Sequence, residues 1–301
     1  MSIEAAKFSR WGHIQSHSWP FQVYKLYNEE LSGFIWSFEA SEKFTFRQLR
    51  ANGATWDDVP SKHFPLPDYR IATMKSLKGW SDIYDEASNW IRLNCVMAIS
   101  SNLETYLSSV ISLAIESNPG ILLKASREID GVKILKSGGL DSAIYESKVI
   151  SCVKGTWSSR LAAFEHLFGC APNSYKNGVR ALERMRTLRN NLAHAFGRDI
   201  ENARNFSVNT KQPINSIRQE TLIKYLELGY NMAKDVDSFL LDNYIGEFQA
   251  ILVYHQNAEE LSKLTTDGDR AVALKKIYGR LDRPISKTFC RDLISYYRGI
   301  C

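Results

Sequence analysis

The stretch that decides the fold is WSDIYDEASNWIRLNCVMAISSNLETYLSSVISLAIES, Trp80 to Ser117. Within it Ile83, Ala87, Trp90, Ile91, Val96, Ile99, Leu103, Leu107, Val110 and Ala114 recur in steps of three and four, the period of a helix with one apolar face. Pro119-Gly120 stops the run, so the spacing predicts one long helix or two nearly collinear ones. Shorter pieces of the same kind follow. The sequence predicts a short helix within 121–129, a turn at Ser137-Gly-Gly-Leu140, and a helix near 141–152. Two more run from Thr156 to Phe168, ending at Gly169, and from Ser174 to Gly197, a left-handed C-cap. Ser216-Ile-Arg-Gln219 fits a capping box opening a long amphipathic helix to about Asn243. Residues 247–298 read as two or three further helices, broken near Thr265–Asp269 and at Pro284. No internal repeat is evident. The expectation is a mainly α protein, a helical bundle from residue 80 onward.

Upstream of the bundle the pattern differs. Residues 1–79 are rich in aromatics and interrupted by Gly, Pro and Asn. Phe34-Ile-Trp-Ser-Phe-Glu-Ala40 alternates like a strand, and Ser41 to Phe46 reads as its hairpin partner, so a mixed, irregular N-terminal segment is expected. Arg198 to Pro213 is polar, with one short strand expected at Phe206-Ser-Val208. The expected organisation is thus an N-terminal segment over 1–79, a bundle over 80–245 and a basic helical extension over 246–301.

Composition narrows the classes. The chain has 301 residues, 44% hydrophobic and 24% charged, with 17 Gly and 8 Pro, which excludes disordered, collagen-like and low-complexity proteins. No apolar run reaches the roughly 18–20 residues of a membrane span, and the N-terminus lacks the apolar stretch of a secretory signal. Five cysteines without a CxxC pair fit neither a zinc knuckle nor a disulfide framework. A cytoplasmic protein that stays off the membrane is the expectation. The net charge is +5, but residues 173–199 hold six basic side chains against Glu183 and Asp199, and residues 270–301 hold eight against Asp282 and Asp292. Two basic segments on an otherwise acidic chain suggest an anionic partner, or simply solvated helix faces.

The chemistry gathers in Arg189-Asn190-Asn191-Leu192-Ala193-His194, near the end of its helix. At about 100° per residue, Leu182, Met185, Leu188, Leu192 and Phe196 share an apolar stripe. Glu183, Arg186, Asn190 and His194 lie beside it, and Arg189 falls inside it. A guanidinium there needs a carboxylate or a cleft that holds an anion, because an unpaired buried charge costs several kcal/mol, roughly. Glu104, between Met97 and Ile111 on the edge of the long helix's apolar face, is a candidate carboxylate for it. His194 lies one turn from the helix end, where the macrodipole favours the imidazolium by about 0.3–1 kcal/mol. That suits a general acid–base residue; a capping histidine has the same placement. A His, an amide and an Arg together suit phosphodiester cleavage. The His moves protons between the ribose 2′-OH and the 5′ oxygen while Arg189 offsets the charge of the phosphorane.

RNNLAH at 189–194 resembles the signature of the HEPN superfamily: Arg, a polar residue, three variable residues and His. Ser101-Asn-Leu-Glu-Thr-Tyr-Leu107 on the upstream helix is similar to a stretch of several HEPN families, and the likeness covers roughly 80–245. It implies a metal-independent endoribonuclease without cofactor, leaving 2′,3′-cyclic phosphate and 5′-OH ends. Such proteins act as toxins or antiviral effectors and commonly as homodimers, with an antitoxin or regulatory protein as a further partner. By this resemblance Arg189, Asn190 and His194 are the catalytic positions and Glu104 and Arg186 support them. Lys275, Lys276, Arg280 and Arg283 would then guide RNA. The alternative is a non-catalytic HEPN module that dimerises and binds nucleic acid or a partner protein.

Other patterns carry less. Arg160 and His166 fit a loose Arg-x5-His spacing, but apolar Leu161 follows the arginine. His13 and His17 are four apart, without a carboxylate or cysteine spaced to complete a metal site. Ser137-Gly-Gly-Leu140 lacks the Lys-Ser/Thr of a phosphate loop, and Asp267-Gly-Asp269 lacks the other ligands of a calcium loop.

Overall fold

The structure, a computed structural model, describes residues 7–65, 74–205, 207, 209–281 and 284–300. Among them the regular structure is helical, without strands. The main elements are α1 (Trp19–Ala51), α2 (Leu77–Ser117), α3 (Gly131–Lys136), α4 (Glu146–Val153), α5 (Trp157–Phe168) and α6 (Asn173–Ala195). They continue with α7 (Ile200–Ala203), α8 (Gln219–Leu240), α9 (Phe248–Ser262), α10 (Asp267–Leu281) and α11 (Lys287–Gly299). No helix among the described residues is long and apolar enough to cross a membrane.

The expected stops hold. Asn118-Pro119 ends α2 in a 3-10 turn over Pro119–Leu123, Gly169 caps α5, and breaks separate α9, α10 and α11. Three expectations do not. The hairpin expected over 34–46 is helix: α1 runs unbroken for 33 residues. Its alternating residues divide between two faces, Ile35 buried and Phe34 and Trp36 exposed, so a period of two also fits opposite sides of a helix. Gly33 in its interior costs about 1 kcal/mol relative to alanine but does not end it. The short helix expected within 121–129 forms instead at 131–136, where the Asp130 side chain accepts from Val132 N–H at 3.0 Å. Helix α8 begins at Gln219 itself, so Gln219 is not the third residue after a Ser216 cap; its amide donates to Glu39 Oε2 at 3.0 Å. The strand expected at Phe206-Ser-Val208 lies in part outside the described residues.

The chain divides into two compact units, neither a single stretch of sequence. The first comprises Met1–Tyr24, Leu103–Arg180 and Asn231–Cys301, the second Lys25–Asn102 and Ala181–Tyr230. In the first, Arg10 is a buried knot. Its Nη1 donates to Ile245 O at 2.9 Å, Nη2 to Ser117 O at 2.8 Å and Nε to Asp130 at 3.0 Å. One cation thereby holds the end of α2, the cap of α3 and the π-turn Leu241–Ile245 after α8. In the same unit the N-terminus of α1 is closed by the buried carboxylate of Asp237, which accepts from the Ser18 hydroxyl and, at 3.0 Å, from Ser18 N–H.

The second unit holds Arg189 to His194. Its core is built from Ile35, Leu93, Val96, Ile99, Leu182, Met185, Leu192, Leu222 and Tyr225, all buried. The first turns of helix α2 bury a different side from the one its apolar spacing suggests. Ile83, Ala87 and Trp90 are exposed, and Leu77, Ser81 and Ser88 are the buried positions of its first turns.

Candidate functional site

The last three turns of α6 carry the candidate residues. Leu182, Met185 and Leu192 are buried and Leu188 half-buried, as the wheel requires, and Arg189 beside them is half-buried. Arg189 Nη1 donates to Asn190 Oδ1 at 3.1 Å, which joins two of the three motif side chains. His194 is exposed in the final turn, and Asn191, which the sequence reading leaves without a role, is the buried asparagine of the pair. Arg186 Nε donates to Glu183 Oε1 at 2.9 Å, so its charge is balanced within its own helix. Arg184 is exposed on the same helix.

The apolar stripe does not extend to Phe196. The backbone turns left-handed there, φ +52°, and again at Gly197, φ +78°, which swings the Phe196 ring out into solvent. A bulky side chain seldom takes that conformation, which costs roughly 1–2 kcal/mol. The ring meets Trp90 of α2 with centroids 6.0 Å apart and planes 38° apart, and Arg198 lies 5.4 Å over its face. Two exposed aromatic rings therefore stand together, one of them two residues beyond His194.

The chain after the helix is tied down residue by residue. Gly197 N–H donates to Asn191 O at 3.0 Å, and Gly197 O accepts from Asn215 N–H at 2.7 Å. Arg198 Nε donates to Gln212 O at 2.9 Å. From α2, Asn89 both donates to Asn215 O (2.8 Å) and accepts from Ile217 N–H (2.9 Å), while Arg92 Nε donates to Ile217 O (3.0 Å). Asn89 and Arg92 are thus positioning residues that the sequence does not single out; their only signal is two polar side chains one turn apart beside an apolar stripe. The open groove between α2 and this loop has a volume of 550 Å³; Asp82, Asp85 and Glu86 line it against the one cation Lys211, which pairs with Glu86, so its balance is negative, the wrong sign for a polyanion.

Glu104 belongs to the first unit, Arg189 to the second. Within the first unit Glu104 Oε1 accepts from Arg160 Nη2 at 2.9 Å. Arg160 is 3% exposed, donates through Nε to Gly155 O at 3.1 Å and lies 4.5 Å over the Trp157 ring. The Arg160–His166 spacing therefore reflects a core arginine and an exposed histidine. Lys275, Lys276 and Arg280 are exposed on α10, and Arg283 lies outside the described residues.

His13 and His17 do not converge. His13 Nε2 lies 2.7 Å from Asp242 Oδ1 and its Nδ1 2.7 Å from Gln15 O, while His17 Nδ1 is 3.5 Å from Asp237. Burial disfavours the charged His13 ring, and the bonds to Asp242 and Gln15 outweigh it, so its pKa lies above the ordinary value. Burial likewise pushes the Asp237 carboxyl up, against the opposing bonds from Ser18. Among the described residues, no group of three His, Cys, Asp or Glu side chains is placed to hold a metal ion. Comparison with protein-family models, with curated proteins and with solved structures gives no match to this chain.

Proposed function

We propose that the chain is an endoribonuclease of the HEPN kind, acting without a metal ion, in a toxin or antiviral defence role. The observation that carries the reading is the end of α6. A half-buried arginine is hydrogen-bonded to the adjacent asparagine, and an exposed histidine follows one turn after that asparagine. In this reading His194 takes the proton of a ribose 2′-OH as the 2′ oxygen attacks phosphorus. The P–O5′ bond breaks, the 5′ oxygen leaves with the proton that His194 has taken, and the strand ends in a 2′,3′-cyclic phosphate and a 5′-OH. Arg189, oriented by Asn190, holds a non-bridging oxygen as charge builds on it. The exposed pair Trp90–Phe196 offers a face on which a base stacks. Lys275, Lys276 and Arg280, exposed on α10 of the first unit, are basic side chains of the kind that bind an RNA backbone.

One observation favours the second reading, a binding module that does not cleave. Among the described residues the His194 ring has no hydrogen-bond partner to orient it, whereas a general base works best when held. The two readings separate in one experiment. Purified wild type, Arg189→Ala and His194→Ala are incubated with total RNA in EDTA and the fragment ends analysed. Cleavage by wild type alone, with cyclic-phosphate ends, is the expected result. Binding by all three without cleavage identifies the module.

A further inference from the structure

A cleft of 180 Å³ lies within the second unit, where α1, α2 and the start of α8 meet. Ile35, Phe38, Glu39 and Glu42 recur at helical steps of three and four, so one side of α1 forms its first wall. Ile91, Arg92 and Cys95 of α2 form the second, and Leu222 of α8 completes it. Ile35 and Leu222 are buried and Phe38, Ile91 and Cys95 half-buried, so much of the wall is apolar. Four charged side chains also line the cleft, and two of them cancel. Lys43 Nζ lies 2.6 Å from Glu39 Oε1, and Glu39 Oε2 accepts from the Gln219 amide at 3.0 Å. Glu42 and Arg92 do not cancel. Arg92 is anchored through Nε, which donates to Ile217 O at 3.0 Å. Among the described residues, neither its terminal nitrogens nor the Glu42 carboxylate makes a hydrogen bond or ion pair, with each other or with a neighbour. Burial pushes the Glu42 carboxyl above its ordinary range, and the Arg92 charge is near enough to oppose that shift without cancelling it. Asp85 and Glu39 add negative charge around Glu42, which favours a cation beside it.

We propose that this cleft binds a free α-amino acid with a small aliphatic side chain. The ammonium group of the ligand meets Glu42, its carboxylate takes the terminal nitrogens of Arg92, and its side chain enters among Phe38, Ile91 and Leu222. Each part answers one observation. Opposite charges that are close but not paired with each other suit a ligand carrying both signs on neighbouring atoms, and the planar guanidinium fork matches a carboxylate. A simple carboxylate would leave Glu42 unpaired beside it, and a simple amine would leave the Arg92 fork unpaired. An apolar cavity of about 150 Å³ takes up benzene, so 180 Å³ suits a ligand of about six to nine non-hydrogen atoms, the range from alanine to leucine. A nucleotide is too large for it. The inference rests on the second unit alone and does not require the nuclease reading.

Equilibrium dialysis of the full chain against radiolabelled L-leucine, L-valine and L-alanine tests it. Saturable binding at one site per chain is expected. Isocaproate, which is leucine without its ammonium group, and isoamylamine, which is leucine without its carboxylate, are each expected to compete about tenfold more weakly or worse. Glu42→Gln keeps the size of the side chain and removes no bond of the fold, so its melting temperature should match wild type. It is expected to weaken leucine by about tenfold or more while leaving isocaproate unchanged. Cys95→Met, which lengthens a side chain of the wall, should weaken leucine and isocaproate alike. Failure of all three amino acids to bind at millimolar concentration overturns the proposal. So does leucine binding that both variants leave unchanged, which puts the ligand elsewhere. Isocaproate binding as tightly as leucine overturns it too, because the cleft would then be a site for simple carboxylates.

Discussion

Arg160 Nη2 donates to Glu104 Oε1 at 2.9 Å, which sets a nearly fully buried cation against a carboxylate at the edge of the core. The other terminal nitrogen of Arg160, Nη1, is buried without a partner, so the guanidinium depends on Glu104 for its charge balance. Stranding a buried charge costs about 3–5 kcal/mol, while replacing both members with apolar groups is often nearly neutral. Glu104→Gln is therefore expected to lower the urea-unfolding free energy by about 3 kcal/mol, and Arg160→Met by less. The double variant should be more stable than the sum of the two losses predicts, by at least about 1 kcal/mol. Simple additivity in that cycle would show that Glu104 serves the fold through other contacts.

Gly197 joins the motif helix to the loop that returns along α2. Its φ of +78° excludes an easy side chain, and a Cβ there would lie 3.0 Å from Ile214 Cγ2 and 3.3 Å from Leu93 Cδ1. Gly197→Ala should cost about 1–2 kcal/mol from the backbone alone. It should also loosen the Asn215–Gly197 bond, seen as faster amide exchange at Asn215 than in wild type. A protected Asn215 amide and an unchanged melting temperature would show that the loop holds without this turn.

The helices from residue 80 onward are legible because their ends are written locally, in Pro119, Gly169 and Pro284. Helix α1 is not, because Phe34, Trp36 and Phe44 are exposed apolar residues away from its buried side, and they blur the 3.6-residue signal. The start of α8 is not legible either. Asn89 and Arg92 hold the chain before it through contacts more than a hundred residues apart in sequence. For the candidate site, the half-buried place of Arg189 follows from the wheel. The exposure of Phe196 does not, because a left-handed turn at a phenylalanine has no local signature.

The His13–Asp242 contact makes part of the first unit's stability depend on pH. The folded-state pKa of His13 is raised above its ordinary 6.5. Its contribution is then fully present below that value and is lost as pH rises through the folded pKa. His13→Asn is expected to lower the melting temperature more at pH 5.5 than at pH 8.5, roughly the two sides of that transition. A gap equal at both pH values would mean that the ring acts by packing rather than charge.

The exposed rings of Trp90 and Phe196 make the sharpest claim on substrate. Stacking a base on an aromatic side chain contributes about 1–3 kcal/mol by alanine substitution, so losing the Phe196 ring should weaken a single-stranded oligonucleotide by about tenfold. Asparagine is the substitution of choice, because it tolerates the left-handed backbone at this position and removes only the ring. In a His194→Ala background, which removes the proposed general base, oligouridylate should quench Trp90 fluorescence. Phe196→Asn should shift that titration to higher concentration while leaving the melting temperature near that of its parent. Duplex RNA, whose bases are already stacked, should compete poorly. If Trp90 stays silent and Phe196→Asn binds like its parent, the pair only covers the end of α6, and the strand takes another path past His194.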